Sequence, residues 1–81
     1  MKVKLELFSV YRGVIGDKEI EIEIKSNARI KDVIQLLINK CPSLKKFIKY
    51  AIFSINREYA DENSRIRKGD TIAIFAPIGG G

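Results

Sequence analysis

The stretch of this sequence best placed to do chemistry carries no reactive side chain. It reads F-A-P-I-G-G-G, Phe75 to Gly81, and what it offers is the bare carboxylate of Gly81 behind Gly79 and Gly80. Glycine loses more backbone freedom on ordering than any other residue, so three in succession weaken any helix or strand that holds them. Such a run suits either a frayed or linker-like end or a terminus meant to be reached. Residues without side chains pass a narrow channel, and an enzyme acting on the terminal carboxylate gains access to it. Pro77, with its fixed φ and no N–H, stops strand pairing just before the run. The expected division is a folded domain over residues 1–76 and a flexible tail over residues 77–81. Fully extended, Ala76 to Gly81 would reach roughly 20 Å at ~3.3 Å per residue.

The remaining composition excludes more chemistry than it suggests. There is no histidine and a single cysteine, Cys41, which removes Ser-His-Asp triads, Cys-His pairs, zinc clusters and intrachain disulfides together. Cys41 ends an apolar helical stretch ahead of Pro42 and reads as an inert core or helix-end thiol. Asp70 is accounted for by the turn it occupies. A chain of 81 residues has room for one modest core and no deep catalytic cavity. The net charge of +5 raises the question of nucleic acid, with Lys45, Lys46, Lys49, Arg57, Arg65, Arg67 and Lys68 all in the second half. No helix-turn-helix pattern or pair of alternating strand aromatics accompanies them. A solvated basic face, or one matched to an acidic partner, is expected instead, with no nucleic acid and no membrane partner. Nothing approaches a spanning apolar run, and no signal-peptide block precedes Phe8, so a cytoplasmic location is expected.

The elements that must position this tail follow from hydrophobic spacing. Lys2 to Tyr11 alternate, with Val3, Leu5 and Leu7 on one face; K-E-I-E-I-E-I-K, Lys18 to Lys25, puts Ile20, Ile22 and Ile24 on one face. With R-G-V-I-G-D between them, the two read as a β-hairpin with a long loop. The period then becomes 3.6: Ile30, Val33, Ile34, Leu37, Ile38 and Cys41 form a helical stripe ended by Pro42. Ser43 is expected to cap a shorter helical turn with Leu44, Phe47 and Ile48 inward. Ala51 to Asn56 reads as a strand, Glu58 to Ala60 as a short one, Arg67 to Asp70 as a turn, and Thr71 to Ala76 as a last strand burying Ile72 and Ile74. A hairpin, a crossing helix and later strands make an α+β fold, the order of a ubiquitin-like β-grasp: a mixed sheet with one main helix on one face. In that fold the first and last strands lie parallel at the sheet centre. Alternation then turns both Phe8 and Phe75 to the open face, with Tyr59 able to extend the patch, and an exposed aromatic patch suggests a binding surface.

The whole pattern resembles a known family. I-N-R-E-Y-A-D-E followed by R-I-R-K-G-D-T-I-A-I-F-A-P-I-G-G-G is similar to the C-terminal third of the MoaD family. These are the small, sulfur-carrying subunits of molybdopterin synthase within the MoaD/ThiS ubiquitin-like superfamily. The shared features are Ile55-Asn56, the Gly69-Asp70 turn, the strand ending in Phe75, then a proline, an aliphatic residue and a terminal Gly-Gly. Arg12 and Gly16 in Y-R-G-V-I-G also fit. The resemblance implies a non-catalytic carrier with no bound cofactor. Gly81 would be adenylated by a ubiquitin-activating-like enzyme using ATP, converted to a thiocarboxylate, and threaded into the molybdopterin synthase large subunit, which holds the active site. There it would give sulfur to a cyclic pyranopterin precursor. It further implies that Gly79 and Gly80 keep the threading path open and that Phe8, Tyr59, Phe75, Pro77 and Ile78 face the partner. Gly79 departs from the residue usual before the Gly-Gly, and the basic balance is unusual for the family. A thiamine-pathway carrier, a tRNA-thiolating carrier or a protein modifier would share the activated glycine, whereas a β-grasp interaction module would not need it.

Overall fold

The structure, a computed structural model, describes residues 1–77. Strand β1, Lys2–Leu7, buries Val3, Leu5 and Leu7 and leaves Lys2 and Lys4 exposed, as a period of two requires. Strand β2, Glu19–Glu23, runs antiparallel to it with Ile22 opposite Val3 and Ile20 opposite Leu5. Helix α2, Ile30–Lys40, contributes Ile30, Val33 and Leu37 to the core. A 3-10 turn at Pro42–Leu44 and the short helix α3, Lys45–Ile48, add Leu44 and Ile48. Strands β3, Ile52–Ile55, β4, Glu58–Ala60, and β5, Thr71–Phe75, complete a five-stranded sheet of order β2-β1-β5-β3-β4. Strands β1 and β5 lie parallel at its centre, Leu5 beside Ile72 and Leu7 beside Ile74; the other pairs are antiparallel.

Two sequence expectations are corrected at the β1–β2 connection. The first strand does not run to Tyr11, and R-G-V-I-G-D is not an irregular loop: β1 ends at Leu7 and helix α1, Ser9–Ile15, joins it to β2. Ser9, at φ 52°, turns the chain out of the strand. The helix then buries the Tyr11 ring, whose hydroxyl donates to the Phe47 carbonyl at 2.9 Å, while Val14 and Ile15 pack on the core. Gly16 ends it in the left-handed region, φ 93°, with its N–H donating to the Arg12 carbonyl at 2.8 Å. Burial of one large ring outweighs the strand preference of a Val- and Tyr-rich segment. Burial also pushes the Tyr11 phenol above its ordinary pKa, so the ring stays a neutral donor. Tyr11→Phe should therefore lower unfolding stability by about 0.5–1.5 kcal/mol, because the Phe47 carbonyl loses one of its donors and keeps the Tyr50 N–H at 3.2 Å, and a shift in urea midpoint at constant slope checks it.

Ser43 does not cap the turn after Pro42: no side-chain cap bond is made there, and its hydroxyl lies 3.7 Å from Cys41 Sγ. Proline at the first position pre-sets φ for the turn and does the initiating instead. At the start of α2 the Arg29 N–H donates to Asp32 Oδ2 at 2.8 Å, and Lys25 Nζ lies 3.4 Å from the other oxygen. That backbone bond first, and Lys25 second, hold the Asp32 carboxyl below the usual carboxylate range. A depressed pKa means stability that is present above the unfolded-state value and lost as pH falls through the folded one. Acid titration of the urea midpoint should thus show a steeper fall for the parent protein than for Asp32→Asn, which lacks the titrating carboxylate.

Candidate functional site: the aromatic face at the end of the central strands

Phe8 follows β1 directly and is 47% exposed on the open side of the sheet, as alternation from Leu7 demands. Its N–H donates to the Ile74 carbonyl at 3.1 Å, continuing the β1–β5 pairing by one step and seating the ring beside Phe75. The two ring centroids are 6.4 Å apart and the planes meet at 84°, an edge-to-face pair. Tyr59, 83% exposed, stands 6.4 Å from Phe75 on the other side, so the half-buried Phe75 is the middle of three rings. Thus the three aromatic positions named from sequence converge. Pro77 is exposed two residues after Phe75. Ile78, Gly79, Gly80 and Gly81, the rest of the named set, lie outside the described residues.

Tyr59 reaches this face through local backbone chemistry. Asn56 and Arg57, at φ 50° and 72°, form a two-residue turn between β3 and β4, and positive φ at both positions is what the right-handed twist of a hairpin favours. Asn56 is held there from β5: its Nδ2 donates to Asp70 Oδ1 at 2.9 Å and its Oδ1 accepts from the Thr71 N–H at 3.0 Å. Asp70 in turn accepts from the Arg67 N–H at 2.8 Å, across a turn that needs Gly69 at φ 83°. The Ile55-Asn56 and Gly69-Asp70 pairs are therefore one clamp that fixes the β3–β4 hairpin, and Tyr59 with it, to the start of β5. Both pairs are visible in the sequence, and only the fold brings them into contact.

Below the rings the open face becomes polar. A shallow depression of about 450 Å³ is lined by Lys4, Glu6, Ser54, Asn56, Arg57, Thr71 and Ala73. Among the described residues no group of three or more His, Cys, Asp or Glu side chains is placed to hold a metal ion. Cys41 is half-buried at the end of α2, its Sγ 3.6 Å from the Val14 carbonyl. No described helix is long and apolar enough to cross a membrane. The open face thus joins three apolar rings to a polar depression that carries Lys4, Glu6 and Arg57.

A central parallel strand pair, a helix-covered face and an open aromatic face at the end of β5 define a ubiquitin-like β-grasp protein. The chain belongs to the ThiS family, which it matches over residues 5–81. It is similar to the molybdopterin synthase sulfur carrier subunit of Arabidopsis thaliana, at 26% identity over 81 residues that span all of this chain and 84% of the relative. Its fold is similar to that of SAMP1 from Haloferax volcanii, with a TM-score of 0.87 at 21% identity and both chains covered in full. It also matches a chain of the Helicobacter pylori complex of subunits 1 and 2 of molybdopterin-converting factor, with a TM-score of 0.69 at 21% identity, again over both full chains.

Proposed function

We propose that this protein is a sulfur carrier whose reactive group is the Gly81 carboxylate. The carboxylate oxygen attacks the α-phosphorus of ATP on a ubiquitin-activating-like enzyme, pyrophosphate leaves, and an acyl adenylate forms. A sulfide-level nucleophile then displaces AMP, leaving a thiocarboxylate. A carboxylate is a poor acyl donor until AMP becomes the leaving group, and a thiocarboxylate keeps a nucleophilic sulfur on a protein handle. The loaded tail enters the large subunit of molybdopterin synthase and its sulfur passes to a cyclic pyranopterin precursor. The carrier is a reactant spent once per sulfur, it needs no cofactor of its own, and the catalytic residues belong to its partners.

The observation that carries this reading is the ring set Phe8, Phe75 and Tyr59 at the end of β5, where Pro77 leads into the glycines. Ordering the tail in a partner's channel costs roughly 1–2 kcal/mol per residue, so an adjacent apolar surface must supply the anchoring free energy. Membership of the ThiS family and the named function of the Arabidopsis relative support the same conclusion. So does the H. pylori complex, in which a chain of this fold is found with a second subunit. The test is intact mass after incubation with ATP, the adenylating enzyme and a sulfur donor. A gain equal to replacing one oxygen by sulfur is expected, and its loss on adding the large subunit with the pyranopterin precursor identifies the acceptor. An unchanged mass with a competent enzyme rejects the carrier.

A further inference from the structure

The chain's positive charge is not spread evenly. From Val33 to Arg57 there are five basic residues, Lys40, Lys45, Lys46, Lys49 and Arg57, and no acidic one, a charge equal to the net +5 of the whole sequence. The rest of the chain balances to zero, and where the structure brings opposite charges together it does so there. Glu19 and Glu21 of β2 lie near Lys4 and Lys2 of β1, Glu23 near the Met1 amino group, and Asp32 near Lys25. Among the described residues, no carboxylate comes within 4.0 Å of the amino groups of Lys40, Lys45, Lys46 or Lys49, and all four side chains are exposed.

The fold divides this charge: Arg57 stands in the β3–β4 turn beside the start of β5, and Lys49 stands at the other end of β3. Ile52, the first residue of β3, pairs with Phe75, the last of β5, in antiparallel register. Tyr50 and Ala51 thus lead into the sheet at the same end from which Ala76 and Pro77 lead out. The Tyr11 hydroxyl on the Phe47 carbonyl ties α3 to α1, and the Phe8 N–H on the Ile74 carbonyl ties the start of α1 to β5. Tyr50 is 63% exposed, with Lys49 Nζ 5.2 Å from its ring centre. Lys49 and the exposed Tyr50 thus stand at the end of the sheet where Phe75 finishes β5, with Lys45 and Lys46 one helical turn earlier in α3.

We propose that Lys45, Lys46 and Lys49, with Lys40 and Tyr50 beside them, dock on an acidic face of the large subunit, the class of partner found with a chain of this fold in the H. pylori complex. This rests on the carrier reading above and adds the electrostatic sign of the partner. All four cations are lysines, compact point charges without the planar fork that gripping a phosphate or a base edge in two places uses. The exposed ring already carries an ammonium against it instead of standing free as a stacking platform. The neighbouring ring set has the composition of a protein interface core, and a charged margin next to such a core acts chiefly on encounter. The surface therefore speeds and orients arrival, while the rings and tail hold the complex.

The experiment compares the parent protein with Lys45→Glu/Lys46→Glu/Lys49→Glu and with the milder Lys→Gln triple variant. Association with the adenylating enzyme and with the large subunit is followed by stopped flow across ionic strengths, and sulfur loading is read separately by intact mass. The proposal expects the Glu variant to associate with the large subunit about 10-fold or more slowly at low salt, with the Gln variant between, and slowing confined to the adenylating enzyme overturns it. The difference should shrink toward nothing at high salt while dissociation rates stay alike. Equal association rates at low salt, with normal sulfur loading, overturn the proposal and leave the carrier standing. If the parent protein neither loads sulfur nor associates, both fail together. If it instead retards labelled total tRNA in a gel more tightly than it binds either protein, and the Glu variant does not, the surface belongs to nucleic acid and the proposal is wrong.

Discussion

Deletion of Gly80 and Gly81 should abolish sulfur loading altogether while leaving the melting temperature within about a degree of the parent. Among the described residues the buried core runs from Val3 to Ile74, and changes away from such features move stability by no more than ~0.5 kcal/mol. The effect on chemistry is of another size. The truncated chain ends in Gly79, whose carboxylate sits two residues short, roughly 7 Å by extended-chain reach. Acyl transfer demands reacting atoms within ~3–3.5 Å of one another, so a shortfall of that length leaves nothing in range. Intact mass under the loading conditions and a thermal melt on the same sample check both halves. Loading of the truncated chain would mean that the terminal Gly-Gly is not the activated group.

Phe75→Ala should weaken binding to the large subunit by about 2–4 kcal/mol, or 30- to 1,000-fold in Kd, with a much smaller cost in stability. Phe75 is the middle ring, 6.4 Å from both Phe8 and Tyr59, so its removal separates the two outer rings and opens a gap at the centre of the patch. Truncations at the centre of an interface cost more than those at its rim because the centre is fully desolvated in the complex. Within the free protein the edge-to-face pair accounts for only about 0.5–1.5 kcal/mol beyond burial, so the variant should remain folded. Tyr59→Ala is the sharper control. At 83% exposure its loss should barely move the urea midpoint, while still costing at least about 1 kcal/mol in binding if the ring is covered in the complex. Calorimetric titration of both variants against the large subunit, beside their unfolding curves, separates docking from folding. Unchanged affinity in both would remove the aromatic face from the interface.

Much of this molecule could be written down from residue spacing. Val3, Leu5 and Leu7, Ile20 and Ile22, and Ile72 and Ile74 alternate because a pleated strand shows one face to a core. All seven are indeed buried or packed against that core. The stripe Ile30, Val33, Leu37 likewise fixes the main helix and its inner face. Where local pattern and tertiary packing disagreed, packing won. V-Y-R-G-V-I carries strand-forming residues, yet it is helical because Tyr11 can be buried and hydrogen-bonded on the Phe47 carbonyl, 36 residues away. No local period encodes a partner that distant.

The sequence by itself determined the order of the strands and of the main helix and the outward direction of Phe8 and Phe75, since each depends on residue type or period along one stretch of chain. Only the tertiary structure decided that Phe8, Phe75 and Tyr59 form one surface, because that requires β1, β5 and β4 to be assembled across a sheet whose neighbours are far apart in sequence. The same is true of the Asn56–Asp70 clamp, made between residues 14 apart. It is true as well of Lys49 and Tyr50 standing at the end of the sheet where β5 finishes, which follows from the pairing of Ile52 with Phe75. Side-chain direction is a local property of the backbone, whereas adjacency is a property of the fold.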